Sequence, residues 1–261
     1  AFVLSPLGPQ QTAAQTAIGA LLLASNAVIA TAIGGYFDAP AEGNPRLTMW
    51  SLSVEEQFYL VFALLLFIGW RRRRAFTTVM LVTVASFVAA MLGSRGYGGD
   101  LLGFYSPFAR AWEFGVGALL ALREVRVPPR IAPTTSGGGA LGLLASLWLI
   151  DGGTTFPGPW TLLPVFATAA LIASGTSEHP ITRVLASGPM ARIGDWSYSI
   201  YLWHWPAIVL AGIAFADVDG IAVYAAIGSL LPALLSYRFV EEPIRNREFS
   251  RAGLLRVVGG T

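Results

Sequence analysis

The chain has 261 residues, of which 54% are hydrophobic and 12% charged, with a mean hydropathy of +0.61. Soluble domains carry roughly 25% charged residues, so this composition excludes an ordinary water-soluble enzyme and specifies an integral membrane protein. All 17 basic residues are arginine against 15 acids, a net charge of +2 that leaves no electrostatic footprint for nucleic acid, while the lack of cysteine excludes disulfides, thiol nucleophiles and thiolate metal sites.

The chain opens Ala1-Phe2-Val3 with neither initiator methionine nor signal peptide, which reads as a fragment. Apolar runs bounded by charge, Pro or Gly predict an all-α, polytopic transmembrane helical bundle of about eight membrane segments, each near the roughly 17 to 25 residues a bilayer core demands or somewhat short of it. In chain order they are Ala14 to Tyr36, Val54 to Trp70, Ala75 to Leu92, Pro107 to Leu122, Gly137 to Ile150, Trp160 to Ser174, Ser197 to Phe215 and Ile221 to Tyr237. Gly43-Asn44-Pro45, Gly96-Tyr97-Gly98-Gly99 and Thr155-Phe156-Pro157-Gly158-Pro159 are loop signals, so one domain over residues 1–261 suffices.

Short cytoplasmic loops carry the excess of basic residues, which puts Arg71 to Arg74 inside. Alternation then puts Arg123, Arg126 and Arg130, Arg183 and Arg192, and the tail Arg238, Arg245, Arg247, Arg251 and Arg256 inside as well, with a cytoplasmic C-terminus. The loops around Asp38, Asp100, Asp151 and Asp217 fall outside, and so does the Glu55-Glu56 mouth of the second run. Attraction to anionic lipid headgroups accounts for the arginine runs, with steering of an anionic molecule as the alternative for Arg71 to Arg74.

Two adjacent carboxylates at the edge of a lipid-buried helix are costly and are tied to partners or function. Ser53 followed three residues later by Glu56 is a capping-box pattern that predicts a helix start there. Glu55 has no such role and shares a helical face with Ser51, Phe58, Tyr59 and Phe62. Ser106-Pro107 predicts an N-cap and first helical position, placing Arg110 one turn in, where Glu113 at i+3 or Glu55 on another helix can pair with it. Ser197, Tyr201 and His204 share a face beside Pro206, which cannot donate to the carbonyl of Leu202, so a bend is predicted there. His204 can act as acid or base, hydrogen-bond a donor molecule, or simply bond a neighbouring helix. His179, in a loop, reads as solvated, and with two histidines and no thiols a metal cluster is unsupported.

Three stretches carry a resemblance: Trp50-Ser-Leu-Ser-Val-Glu-Glu-Gln-Phe-Tyr59, Arg110-Ala-Trp-Glu-Phe-Gly-Val-Gly-Ala-Leu-Leu-Ala121 and Asp195-Trp-Ser-Tyr-Ser-Ile-Tyr-Leu-Trp-His-Trp-Pro206. In sequence and order they resemble acyltransferase family 3. The resemblance implies a multi-pass enzyme of the inner membrane that moves an acyl group, typically acetyl, from cytoplasmic acyl-CoA to a glycan hydroxyl on the far side, with membrane lipid, glycan and acyl-CoA as its partners and no metal. It implies supporting catalytic roles for Glu55 and His204, and substrate contacts for Ser51, Ser53, Glu56, Tyr59, Arg110, Glu113, Ser197 and Tyr201. The tail Arg238-Phe239-Val240-Glu241-Glu242-Pro243-Ile244-Arg245 is similar to the family's last helix end and reads as a helix exit. The family's first helix carries a basic residue followed by a histidine, and a later helix an arginine pair; neither precedes Ser53 here, which reads as an N-terminal truncation and predicts that these residues alone are inactive. A transporter or flippase, or a noncatalytic membrane scaffold, is the alternative.

Overall fold

The computed structural model describes residues 8–32 and 43–246, and its regular structure is helical throughout that range. The chain divides into two compact units, Ala1–Ala191 and Arg192–Thr261. Residues 33–36 of the first predicted run, Asp38, and Arg247, Arg251 and Arg256 of the tail lie outside the described residues.

The first unit opens with a correction. Ala14 to Tyr36 is not one span: α1 (Pro9–Leu21) stops, Leu23 takes φ 55, and α2 (Ser25–Ala32) starts afresh. At 13 residues and about 1.5 Å per residue, α1 does not cross a hydrocarbon core of about 30 Å, and α2 is a separate helix. The physical reason lies at two positions. A Cβ on Gly19 would stand 2.9 Å from Val28 Cγ2 and 3.0 Å from Ser25 Cα, so only glycine lets the two helices fold back this closely. Ser25 then meets a cap from a distant helix, described below.

The helix α3 (Met49–Arg71) is longer than predicted and begins before the capping-box serine. Its start is set upstream, where Asn44 Oδ1 accepts from the Arg46 N–H at 2.9 Å, an Asx turn, and the Leu47 and Met49 amides close successive turns. Ser53 therefore sits inside the helix, and the predicted Ser53–Glu56 capping box does not form; Glu56 is exposed. A tight turn with Arg73 at φ 53 leads to α4 (Ala75–Gly93). α5 (Pro107–Leu122) starts where Ser106-Pro107 predicts: Ser106 Oγ accepts from the amides of Phe108 (3.1 Å) and Ala109 (3.3 Å). α6 (Ala132–Leu149), α7 (Leu162–Ser174) and the short α8 (Pro180–Leu185) complete this unit.

The packing is that of membrane helices, in which small residues set close approach. α4 and α5 join around Ala90, Ala109 and Trp112, with Phe87, Met91, Val116, Leu162 and Val165 against them. A Cβ on Gly115 would lie 2.2 Å from Thr83 Oγ1, so this position is in direct contact across the pair. Outward, Leu60, Val61, Leu64, Phe67 and Trp70 of α3 and Leu81, Val84 and Val88 of α4 are exposed. Such apolar bands are a liability in water and the expected outer surface in lipid.

The second unit contains most of α9 (Gly188–Ala214), which runs unbroken through Pro206, then α10 (Ile221–Gly228), α11 (Leu230–Ser236), a π-helical turn over Tyr237–Glu241 and α12 (Glu242–Arg245). α9 starts earlier than the predicted Ser197, and the last run extends past Tyr237 to Arg245. Among the described residues three helical stretches are long and apolar enough to cross a membrane: Met49–Arg71, Ala75–Gly93 and Ile221–Arg245.

Candidate active site

Arg110 is the centre of the first unit's polar chemistry. One turn into α5, its guanidinium carbon lies 5.3 Å from the Trp50 ring, 5.4 Å from Phe104 and 4.9 Å from Phe156. Its Nε stands 3.2 Å from Glu113 Oε1, the i+3 partner, with both side chains largely buried. Glu113 Oε1 is nevertheless enclosed without a hydrogen bond among the described residues, because the short approach lacks hydrogen-bond alignment. Three aromatic faces and a carboxylate together hold a cation in a low-dielectric setting, where each cation–π contact contributes about 0.5–2 kcal/mol.

The backbone beneath this pair is also shaped. Ser86 of α4 donates to the Phe108 carbonyl at 2.6 Å and accepts from the Trp112 amide at 2.9 Å, the two groups that a helix would pair directly. A hydroxyl inserted into the ladder is one cause of local helix bending, and the insertion falls on the turn carrying Arg110 and Glu113.

The other candidates at this end of α3 fall into two groups. Glu55 accepts from the Tyr59 hydroxyl at 2.6 Å, on the exposed side of the helix, while Ser51 Oγ donates to the Thr48 carbonyl at 3.0 Å. Ser53 faces inward: its Oγ accepts from the Ser25 amide at 3.2 Å and lies 2.6 Å from Ser25 Oγ, which donates to the Met49 carbonyl at 2.8 Å. Ser53 thus caps the start of α2 rather than that of its own helix. One turn further along the same face, Gln57 donates to Asn26 Oδ1 at 2.9 Å and to the Leu23 carbonyl, and Asn26 donates to the Tyr105 carbonyl at 3.2 Å. The Asn26 and Gln57 pairing escaped the sequence reading, although an i, i+4 polar pair Ser53 and Gln57 on an otherwise apolar helix, with Ser25-Asn26 inside an apolar run, was a usable signal. Ser53→Ala is expected to lower stability by about 1–2 kcal/mol through the loss of this cap, read as a lower unfolding temperature in detergent, with Ser25→Ala adding little to it.

In the second unit His204 Nδ1–H donates to the carbonyls of Tyr201 (2.9 Å) and Ile200 (3.2 Å), and its ring centroid lies 5.6 Å from that of Tyr201. In the neutral ring this assignment leaves Nε2 as the acceptor. Ser197 is exposed and donates to the Gly194 carbonyl at 2.7 Å. The buried hydroxyl on this helix is instead Ser199, which donates to Glu241 Oε2 at 2.8 Å. Glu241 and Asp195 each approach Arg245 at 3.8 Å, Arg245 donates to the Tyr237 hydroxyl at 3.0 Å, and Arg238 pairs with Glu242. The tail motif is therefore a network binding the last helix to α9, not merely a helix exit. His179 is a second correction: it is 4% exposed, not solvated. It caps α8 by accepting from the Thr182 amide at 3.3 Å, close to Ser136 Oγ and the Ser174 carbonyl.

Apolar helices sheathed in exposed hydrophobics around a caged arginine–glutamate pair define a helical membrane protein with a buried polar centre. The acyltransferase-domain profile of acyltransferase family 3 matches residues 12–238. The chain belongs to this family. It is 32% identical over 214 residues to BcsY, a candidate membrane-bound transacylase of Komagataeibacter xylinus, covering 79% of this chain and 53% of that protein. It is 30% identical to YrhL, a candidate peptidoglycan O-acetyltransferase of Bacillus subtilis (83% of this chain, 38% of that one), and 29% identical to the O-acetyltransferase OatA of Staphylococcus aureus (81% and 38%). The chain thus spans about half or less of the length of these curated relatives. No solved structure matches it.

Proposed function

We propose that this chain forms the membrane-embedded site of an O-acyltransferase that passes an acyl group, acetyl in the first instance, from cytoplasmic acyl-CoA to a glycan hydroxyl at the outer face. The reading includes a multi-pass inner-membrane location with a cytoplasmic C-terminus, and a glycan, acyl-CoA and membrane lipid as partners. The observation that carries it is the meeting of two family motifs at one point: Trp50, which opens the first, packs on Arg110, which opens the second.

Acyl transfer joins the sugar oxygen to the acyl carbon and breaks the thioester C–S bond; the hydroxyl proton passes to a base and CoA leaves as the thiol. Negative charge develops on the acyl oxygen, and a preorganised cation in a dry site is suited to receive it. Arg110 takes that role in this reading, Glu113 holds it in place, and Glu55 with Tyr59 contacts the acceptor. The family resemblance assigns the base to a first-helix histidine, whereas the histidines of this chain are His179 and His204. His204, with Ser197 and Tyr201 on the same helix, is assigned to the donor side, its Nε2, which has no hydrogen bond among the described residues, being available to a proton or a polar group of CoA.

The test is glycan O-acetylation in a deletion host expressing the full-length protein, wild type against Glu55→Gln and His204→Gln at matched membrane levels. Both variants are expected to lose at least tenfold in acetylation, about 1.4 kcal/mol of transition-state stabilisation. Unchanged acetylation in both would remove these residues from the acyl-transfer path. No acetylation even by wild type would favour a transporter.

A further inference from the structure

Next to the caged pair lies a cavity of about 260 Å³, walled by α5 and by the segment from Phe156 through α7. Its lining is apolar apart from Glu113, Thr161 and Thr168. The hydrogen-bond directions of these three groups decide what it can hold. Thr161 Oγ1 donates its proton to the Gly158 carbonyl at 2.6 Å and Thr168 Oγ1 to the Pro164 carbonyl at 2.8 Å, so each hydroxyl offers the cavity only lone pairs. Glu113, as the carboxylate half of an ion pair, also only accepts; its Oε1 is the oxygen enclosed on the Arg110 side, and the carboxylate is otherwise part of the cavity wall. The polar face of the cavity is thus acceptor-only.

An acyl or thioester carbonyl brings acceptors alone and would meet no donor from this lining. A sugar brings hydroxyl donors, together with a C–H face that suits Phe156 and Val165. Ligand pockets for drug-sized molecules run to about 300–1,000 Å³, so this volume suits a single sugar ring rather than CoA or a glycan chain. Resting on the acyltransferase reading above, we infer that this cavity is the acceptor subsite: it takes one hexopyranose ring, with a ring hydroxyl donating to Glu113 beside Arg110.

Gly117 lines the cavity, and a Cβ there would meet nothing within 4 Å, so a larger side chain can enter the space without clashing at its root. The experiment measures binding of methyl glucoside, galactoside, mannoside and N-acetylglucosaminide to the full-length protein in nanodiscs by ligand-observed NMR, and in parallel the acceptor and acyl-CoA KM values for transfer. At least one glycoside is expected to bind, and at least one of its isosteric monodeoxyfluoro analogues, which cannot donate at that position, to bind tenfold or more weakly. Gly117→Leu, which fills the cavity, and Thr168→Val, which keeps the shape and removes an acceptor, are expected to weaken binding and raise the acceptor KM, the former at least tenfold, without changing the acyl-CoA KM. Failure of all four glycosides to bind wild type, equal binding of every fluoro analogue, or unchanged binding by Gly117→Leu would overturn the assignment. A shift in acyl-chain preference by Gly117→Leu in place of a shift in sugar binding would overturn it too and make the cavity an acyl pocket. Sugar binding with the expected losses, in a protein that transfers no acyl group, would instead sink the transferase details and leave the subsite standing.

Discussion

Arg110→Lys is expected to reduce acyl transfer by at least a hundredfold, about 2.7 kcal/mol, although it keeps the positive charge. A planar guanidinium presents faces to Trp50, Phe104 and Phe156 while its edge reaches Glu113; an ammonium is a compact, strongly hydrated point charge that cannot do both. Arg110→Ala should go further and destabilise the fold, because removing one partner of a buried ion pair leaves the other uncompensated, at a cost of about 3–5 kcal/mol. Replacing Glu113 as well, in Arg110→Ala/Glu113→Ala, should restore part of that stability and none of the activity. The measurements are transfer rate and unfolding temperature of the purified variants. Full activity in Arg110→Lys would show that charge alone matters and would remove the geometric argument.

Gly115→Ala should be the most damaging methyl group that can be added to α5. Its Cβ would fall 2.2 Å from Thr83 Oγ1 and 3.0 Å from Thr83 Cβ, and Thr83 is β-branched with its hydroxyl donating to the Val79 carbonyl, so it cannot swing away. Overpacking of this kind costs about 1–3 kcal/mol. Two residues on, Gly117→Ala meets open space and is expected to be neutral or to gain up to about 1 kcal/mol from helix propensity. Thr83→Ala should rescue Gly115→Ala and have no comparable effect on Gly117→Ala. Equal unfolding temperatures for the two alanine variants would refute the contact between α4 and α5 as described.

The location of these costs explains which parts of the protein could be read in advance. α4, from Ala75, and α5, at Pro107 to Leu122, were legible because their boundaries are local: an arginine run, a serine–proline start, an apolar stretch of definite length. The Arg110–Glu113 pair was legible too, since i, i+3 neighbours meet on any helix. The first run and the capping box were misread for one shared reason. Ser25 lies unmarked inside an apolar run and Ser53 looks like a local cap, but each finds its partner on the other's helix, 28 positions away.

By itself, then, the sequence determined the solvent, the helical class and the family motifs, because hydropathy, periodicity and short-range spacing act within one helix. Only the tertiary structure decided that Phe104 and Phe156 join Trp50 around Arg110, that Ser86 enters the α5 ladder, that Ser199 rather than Ser197 meets Glu241, and that His179 is buried. Most of those pairings join segments far apart in the chain. Which polar group satisfies which depends on how helices stack once they leave water, and that choice has no local signature.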